Sequence, residues 1–322
     1  MKRLWNSIAL AVVLFFSLPV NADAADLLIP VGKVIGLQLS DDTVTVAAFD
    51  DSLGTAARDA GLRVGDEILK IDDRSIDCAE DIRAALSAGG SQVELTVRRS
   101  GKTHTLRMSP QESSDGPRLG IYLRQGITGI GTVTWYDPDT GRFGTLGHGV
   151  SNAKGELLAM SAGQAFDAEV VSIKKGKCGE PGQLKGSADA LQTCGRLLRN
   201  TPQGVFGISK KGWPGEPLPV ASLEEVQTGP ATIRSTIQGG SVQEYSVEIL
   251  KIYPKDRTDN RNFLLKVTDP ELLNATGGIV QGMSGSPIIQ DGKLIGAVTH
   301  VLVNDPTTGY GIFIENMLDA AA

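Results

Sequence analysis

The sequence predicts a mainly β protein of two domains. Short runs rich in β-branched residues recur between turn-forming residues along most of the chain, while helical periodicity is scarce. The 322 residues are 41% hydrophobic, enough to bury full cores, and a domain of ~150 residues is the common size. Glycines and short apolar runs dominate from residue 120 onward, which favours a β-barrel or a β-sandwich for the second domain.

In the first domain, strands are expected at residues 44–48, 67–71 and 92–97, because these runs are β-branched and lie between turn residues. One helix is expected from Cys78 to Ala88. Its apolar residues Ile82, Ala85 and Leu86 have helical spacing, and Asp77 stands where an N-cap is expected. In the second domain, residues 131–136, 168–173, 245–250 and 263–267 are examples of expected strands.

Charge excludes one functional class. The formal net charge is -6 and the pI is near 5.2, and no basic run interleaved with aromatic residues occurs. A nucleic-acid partner is therefore not expected.

The segment from Gly282 to Pro287 suggests a chemistry. Its sequence, Gly-Met-Ser-Gly-Ser-Pro, places Ser284 between glycines that leave room for a substrate carbonyl. Backbone N–H groups of Gly282 and Ser284 can then form an oxyanion hole. A turn is the simpler interpretation of such a cluster. Ser286, beside the proline, is a rival nucleophile, and local packing explains it better.

A serine nucleophile requires a base. The chain has three histidines, at positions 104, 148 and 300, and His148 has a comparable glycine-flanked setting, Gly147-His148-Gly149. A loop or core histidine is the alternative for each such residue. The order of histidine before serine permits a two-barrel peptidase with one residue on each barrel. In that case His300 is either a contact in the substrate cleft or a core histidine.

The N-terminus predicts export. Lys2 and Arg3 precede an apolar stretch at residues 8–20, and Ala22-x-Ala24 fits a cleavage site. Residues 1–25 are therefore either a cleaved signal peptide or an N-terminal anchor. The three cysteines, Cys78, Cys178 and Cys194, lack CxxC spacing, so neither a metal site nor any other cofactor is expected. A disulfide between Cys178 and Cys194 and three reduced thiols are equally compatible with the sequence.

The first domain resembles a PDZ domain. Ala57-Arg58-Asp59-Ala60-Gly61-Leu62, followed by Gly65-Asp66 and a strand, is similar to the central signature of that family. The resemblance implies a PDZ domain over residues 27–112. Ile35, Gly36, Leu37 and Gln38 would form its carboxylate-binding loop, although they depart from the usual Gly-Leu-Gly-Phe. The domain either binds a peptide as an added strand or only docks on its neighbour.

Nearly the whole chain resembles the stage IV sporulation protein B peptidases. The motif around His148 and the run from Thr276 through Ser284 to Gly311 are the most specific parts of this likeness. It implies a trypsin-like double β-barrel over residues 118–322. The implied activity is self-cleavage and cleavage of a membrane-protein regulator of an intramembrane protease, between the two forespore membranes, which leads to activation of a late sigma factor.

The resemblance also implies a catalytic triad of Ser284 as nucleophile, His148 as base and Asp269 as acid. Asp269 precedes Pro270-Glu271, so capping a helix is its alternative role. Asp167 and Asp189 are substitute acids. An exported PDZ interaction protein with an inert peptidase-like domain is the alternative function, but retention of His148 and Ser284 favours the active enzyme.

Overall fold

The computed structural model describes residues 27–152 and 155–322. Its first half contains β1 (Leu27–Pro30), β2 (Val34–Phe49), α1 (Thr55–Asp59), β3 (Glu67–Ile71), β4 (Arg74–Ser75), α2 (Ala79–Ala88), β5 (Val93–Arg99), β6 (Lys102–Met108), β7 (Gln111–Ser113), β8 (Gly116–Arg118), β9 (Ile121–Tyr136) and β10 (Arg142–Thr145). The chain continues with β11 (Ala162–Lys174), β12 (Gln183–Thr201), β13 (Gly204–Ser209), β14 (Leu218–Pro219) and a 3-10 turn (Leu223–Glu225). The last elements are β15 (Gly229–Gln238), β16 (Ser241–Ile252), β17 (Phe263–Val267), α3 (Pro270–Thr276), β18 (Pro287–Gln290), β19 (Lys293–Leu302), β20 (Asp305–Phe313) and α4 (Ile314–Ala321).

Six strands close a first barrel. They pair in the ring β2–β9–β10–β13–β12–β11, and β11 pairs back with β2. Inward-facing apolar residues fill the barrel, among them Ile35, Leu37, Phe143, Leu197 and Val205. Each of the six strands pairs with two neighbours of the ring, although β10 pairs with β9 only from Val133 onward.

A second barrel of six strands follows, in the order β15–β16–β17–β20–β19–β18. Its core includes Ile233, Val247, Leu265, Ile288 and Val298. A separate apolar cluster joins residues from both halves, including Trp135 and Phe206 from the first and Ile312 from the second. The mainly β prediction and the predicted pair of β-barrels are therefore confirmed.

The PDZ region is inserted into the first barrel. β2 belongs to the barrel over Val34 to Leu39, where it pairs with β9 and β11, and then continues into the PDZ sheet, where Val44 pairs with Ile68. β9 returns from the PDZ sheet to the barrel. The apolar core of the PDZ region lies under α1 and α2. Val34 to Leu39, which the expected boundary at residue 27 assigns to the PDZ domain, therefore lie in the first barrel.

This insertion also corrects the expected carboxylate-binding loop. Ile35, Gly36, Leu37 and Gln38 lie in β2 and pair with β11 on one side and β9 on the other. Their backbone groups are therefore occupied by neighbouring strands and cannot receive a peptide terminus.

Several local predictions can be compared with the structure. β3 and β17 have the expected bounds, and α2 begins at Ala79 with Cys78 rather than Asp77 as its N-cap. Asp81 accepts hydrogen bonds from the backbone N–H groups of Asp77 and Cys78, which shifts the cap by one residue. The three cysteines are free, so the disulfide alternative is not realised.

The expected signal segment, residues 1–25, lies outside the described residues. Among the residues that the structure describes, no helix is long and apolar enough to cross a membrane.

Candidate active site

The loop that carries Ser284 lies between α3 and β18 and is held by the first barrel. Thr132 on β9 donates its N–H to the Ser284 carbonyl at 3.0 Å and its hydroxyl to the Gly282 carbonyl at 2.8 Å. The Thr134 hydroxyl donates to the Gly285 carbonyl at 2.8 Å. One strand of the first barrel thus binds three carbonyl groups of the nucleophile loop and positions that loop.

Two glycines are required in this loop. Gly282 has φ +100° and Gly285 has φ +96°, values that favour glycine. A Cβ on Gly285 would lie 2.1 Å from the Thr132 carbonyl oxygen. The glycine spacing seen in the sequence therefore reflects backbone geometry and close approach of β9.

His148 follows β10 at the end of the first barrel. The preceding residues Leu146 and Gly147 both have positive φ, 70° and 67°, so the chain turns sharply there. The Asn200 side chain holds the segment that follows, since it accepts from the Val150 N–H at 2.9 Å and donates to the carbonyls of Val150 and Leu158. The loop is thereby fixed on both sides of the histidine.

Ser284 and His148 line one cavity between the barrels, with a volume of about 420 Å³. His300 also lines it. The other walls are largely aliphatic, formed by Leu37, Leu39, Ile127, Ile130, Leu146, Val150, Ile279, Val280 and Val301. Both catalytic candidates are half-buried, so a substrate can reach them.

The Ser284 hydroxyl donates to the Thr299 carbonyl oxygen at 2.8 Å. Within the described residues, no hydrogen bond joins it to His148. The structure therefore brings the two residues to the same cavity without the serine–histidine bond of an attacking state. Such bonds are often absent until substrate binds.

His148 is oriented by a backbone carbonyl. Its Nδ1 lies 2.9 Å from the Gly149 carbonyl oxygen. A carbonyl can only accept, so Nδ1 carries the proton in this bond and Nε2 keeps its lone pair. Burial lowers the pKa of His148, and the bond to Gly149 opposes that effect. The ring is thus a neutral base at neutral pH, with Nε2 available.

Asp269 does not serve as the triad acid in this structure. Its side chain caps α3 by accepting from the N–H groups of Glu271 and Leu272 at 3.0 Å each, and it also accepts from Ser246 at 3.3 Å. No hydrogen bond joins it to His148 in the described part of the chain. The Asp-Pro-Glu pattern is a helix start, and the capping interpretation is correct.

The substitute acids are engaged elsewhere. Asp167 pairs with Lys211 at 2.5 Å. Asp189 accepts from the Leu191 N–H and the Gln192 side chain. Neither carboxylate contacts His148, so the Gly149 carbonyl performs the orienting role among the described residues.

His300 lies against His148, with ring centroids 5.2 Å apart. Its Nδ1 is buried and has no hydrogen-bond partner among the residues that the structure describes. Burial, together with the neighbouring His148, lowers the pKa of His300 to about 4. The sequence allowed a cleft position for His300, and the structure places it there.

The two N–H groups expected in an oxyanion hole are unpaired. Neither the Gly282 N–H nor the Ser284 N–H has an acceptor within residues 27–152 and 155–322. Unpaired donors beside the nucleophile can receive a developing negative charge. The rival Ser286 is completely buried and bonds to the Ser235 hydroxyl at 3.1 Å, so it is a packing residue.

No group of three or more His, Cys, Asp or Glu side chains among the described residues is placed to hold a metal ion. The chemistry available in the cavity is that of a hydroxyl, a neutral imidazole and backbone donors. A hydroxyl nucleophile, an imidazole base and backbone donors are the groups that serine peptidases use.

Comparison with known proteins identifies the family. Residues 115–318 match the family SpoIVB peptidase S55, and residues 52–99 match a PDZ domain. The chain belongs to the SpoIVB peptidase S55 family.

Other similarities are more distant. The chain is 31% identical to a putative zinc metalloprotease of Rhizobium meliloti over 38% of this chain and 31% of that protein. A putative zinc metalloprotease of Bartonella henselae is 30% identical over 29% of this chain and 27% of that protein. The chain thus spans about a third or less of the length of these curated relatives. Among solved structures, the inactive form of the Rv3671c protease is 16% identical, with a TM-score of 0.35 over 61% of this chain and 85% of that chain.

Proposed function

We propose that this protein is an exported serine endopeptidase of sporulation signalling. Its substrates are the protein itself and a membrane-protein regulator of an intramembrane protease, and its cleavage leads to activation of a late sigma factor. The family match supports this role, because the family is named after a sporulation protein. The observation that carries the catalytic part is the meeting of Ser284 and His148 in one cavity beside two unpaired N–H groups.

The reaction begins when the Ser284 hydroxyl leaves the Thr299 carbonyl and turns to His148. Nε2 of His148 takes the proton while the serine oxygen attacks the peptide carbonyl. The same proton then passes to the departing amine, and water releases the acyl group by the reverse sequence. The Gly149 carbonyl stabilises the imidazolium by accepting from Nδ1, as a triad carboxylate would, but without a full negative charge.

The N–H groups of Gly282 and Ser284 receive the oxyanion. Loss of one such donor in a serine peptidase costs about 2.7 to 4 kcal/mol in the barrier. The hydrogen bonds from Thr132 and Thr134 to the loop carbonyls keep these donors aimed at the cavity. Each of these reaction steps uses Ser284, His148 and backbone groups.

A fluorophosphonate probe and self-processing test the catalytic proposal. Ser284→Ala in the full-length protein should abolish both probe labelling and self-cleavage, because the nucleophilic oxygen is gone. Ser286→Ala is the matched control, since Ser286 is buried and lies two residues away. Unchanged labelling in Ser284→Ala, or loss of labelling only in Ser286→Ala, would contradict the assignment.

The biological part is tested in sporulating cells. Cells that carry Ser284→Ala should accumulate the uncleaved membrane regulator and the immature late sigma factor, whereas Ser286→Ala cells should process both. A reporter fused after residue 322 should be active only on the outer side of the cytoplasmic membrane. Normal sigma-factor maturation in Ser284→Ala cells would contradict the sporulation role. It would not bear on the peptidase activity, which the probe experiment tests separately.

A further inference from the structure

The outer edge of β9 is unpaired from the PDZ region to the nucleophile. Along its inner edge β9 pairs with β2 from Ile121 to Thr132. On the outer edge, pairing with β10 begins only at Val133. Within the described residues, no backbone hydrogen bond joins another segment to the outer edge at residues 121–131. A long unpaired strand edge is a template for another extended chain.

This edge is accessible as well as unpaired. Residues 121–130 are all half-buried or exposed, whereas residues 131–135 are all buried. A Cβ on Gly129 would meet no atom within 4 Å. The accessible part of β9 therefore ends where the strand enters the interior of the two-barrel structure.

The end of the open edge lies at the catalytic serine. Thr132 donates its N–H to the Ser284 carbonyl, so the residue after the open edge contacts the nucleophile itself. Ile127, Gly129 and Ile130 line the cavity that contains Ser284 and His148. A chain paired with β9 would thus lead directly into the active site.

The beginning of the open edge lies beside α2. β8, which precedes β9, packs against α2, and the Gln125 side chain donates to the Asp77 carbonyl at 2.9 Å, just before α2. The edge at residues 121–125 is therefore joined to the segment that begins α2, and Ile121 and Leu123 pack against the apolar core that α2 also covers. The N–H groups of Leu119 and Gly120 have no acceptor in the described part of the chain. Free N–H groups at a strand end suit a carboxylate.

Antiparallel pairing sets the direction of the bound peptide. A peptide that adds antiparallel to β9 has its C-terminal end near Ile121 and its N-terminal end toward Thr132. A terminal carboxylate then lies by the Leu119 and Gly120 N–H groups, and residues upstream of that terminus reach Ser284. The opposite orientation would place an N-terminal ammonium at the free N–H groups, and an ammonium cannot accept their hydrogen bonds.

The length of the bound peptide follows from the length of the open edge. Thr132 lies eleven residues after Ile121, and a strand rises roughly 3.3 Å per residue, so the edge is about 36 Å long. An extended partner needs about the same number of residues to span it. Gly126, with φ +75°, kinks the strand at the point where β2 changes register, which alters the span by a residue or two.

Resting on the proposed peptidase function and on the peptide binding expected of a PDZ domain, we propose that one C-terminal segment of a substrate occupies the PDZ region and the active site at the same time. It pairs with the outer edge of β9 along its whole length, with its carboxylate at Leu119 and Gly120. The scissile bond lies about ten residues before the C-terminus, because the strand sets that distance. The PDZ region and the active site thus read one continuous peptide.

A peptide series tests this arrangement with the full-length protein. Each peptide carries the same self-processing sequence and a fluorophore pair, followed by a C-terminal tail of roughly 4, 10 or 25 residues. Each tail ends in a free carboxylate or an amide. We expect kcat/KM to be about tenfold higher for the ten-residue tail with a free carboxylate than for its amide or for the other lengths. Equal kcat/KM across the series would overturn the inference and leave the peptidase assignment intact.

Hydrogen–deuterium exchange of Ser284→Ala tests binding without cleavage. The ten-residue peptide with a free carboxylate should slow exchange of backbone amides across residues 119–131, and the amidated peptide should slow it less. Protection confined to the catalytic cavity, or protection of this edge that is already complete without peptide, would overturn the inference. Absence of cleavage of every peptide, with protection along the edge, would support the binding path and reject the proposed function alone.

Discussion

The Ser284 hydroxyl donates its proton to the Thr299 carbonyl at 2.8 Å, in the strand that also carries His300. A hydroxyl has one proton, so Ser284 cannot donate to Thr299 and His148 at the same time. Attack requires that this bond break. Thr299 belongs to the wall of the substrate cavity, and a substrate N–H that donates to the same carbonyl would compete for it. Substrate binding and release of the nucleophile are therefore coupled at one oxygen atom.

Replacement of Asp269 should affect stability and leave catalysis intact. Asp269→Ala removes the cap of α3 and should lower the free energy of unfolding by about 1 kcal/mol. The rate of fluorophosphonate labelling should stay near that of the wild type. Asp269→Asn retains a capping oxygen and should be close to wild type in both measurements. A fall in labelling rate of about 10⁴-fold in both variants, as for loss of a triad acid, would show that Asp269 acts in catalysis.

Acid should destabilise the protein through the two cavity histidines. Burial lowers the pKa of His148, and burial with the neighbouring His148 lowers the pKa of His300 to about 4. An unfolded histidine titrates near 6.5, so below about pH 6.5 the unfolded state binds more protons than the folded state. Their contribution is therefore complete above that pH and declines as the pH falls toward the folded pKa values.

The measurement is the urea midpoint of unfolding at pH 7.5 and at pH 5. His300→Gln should lose less stability on acidification than the wild type, because one of the two buried groups no longer titrates. His104→Gln is the control, since His104 is exposed on β6. Equal acid sensitivity of His300→Gln and wild type would contradict the prediction.

Gly285 should tolerate no side chain. A Cβ at this position would lie 2.1 Å from the Thr132 carbonyl oxygen, and φ is +96°. Gly285→Ala should therefore lower the thermal midpoint, with a cost of at least about 1 kcal/mol, and should slow fluorophosphonate labelling because β9 can no longer hold the loop. Gly129→Ala, in β9, is the control, because a Cβ at Gly129 would meet no atom within 4 Å. This variant should keep the thermal midpoint of the wild type. Equal midpoints for the two variants would contradict this account.

The ion pair of Asp66 with Arg99 should stabilise the PDZ region. Asp66 is 1% exposed and accepts from two guanidinium nitrogens at 2.6 and 2.7 Å. Asp66→Asn should destabilise the protein by about 3 kcal/mol, because Arg99 is left without its carboxylate. Glu94→Gln removes an exposed pair with Arg107 and should cost less than about 0.5 kcal/mol. Denaturant unfolding of both variants measures the difference.

Local features of this protein were predictable from its sequence. β3 and β17 match the predicted runs because turn residues bound them, and Ser284 and His148 were recognisable because glycines surround both. In each case the signal lies in consecutive residues. Backbone conformation and room around a side chain leave such local traces.

Pairing between distant strands was not predictable. Ile35 to Gln38 read as a loop before a strand, yet they lie inside the strand that continues through Phe49. Gly36, for example, pairs with Ile130 and with Phe166, both more than ninety residues further along the chain. No local residue pattern specifies such partners. The two roles left open for Asp269 differ in the same way: its capping signal is local, whereas proximity to His148 depends on how the two barrels pack.

The insertion of the PDZ region has a consequence for proteolytic maturation. Most of the PDZ region follows β2 in the chain, and β2 is one of the six strands of the first barrel. Cleavage after the PDZ region, with loss of everything before the cut, would remove β2 and open the first barrel. Cleavage that leaves the first barrel intact must therefore occur before Val34. The PDZ region and the first barrel share the strands β2 and β9, so neither can be removed from the chain without disrupting the other.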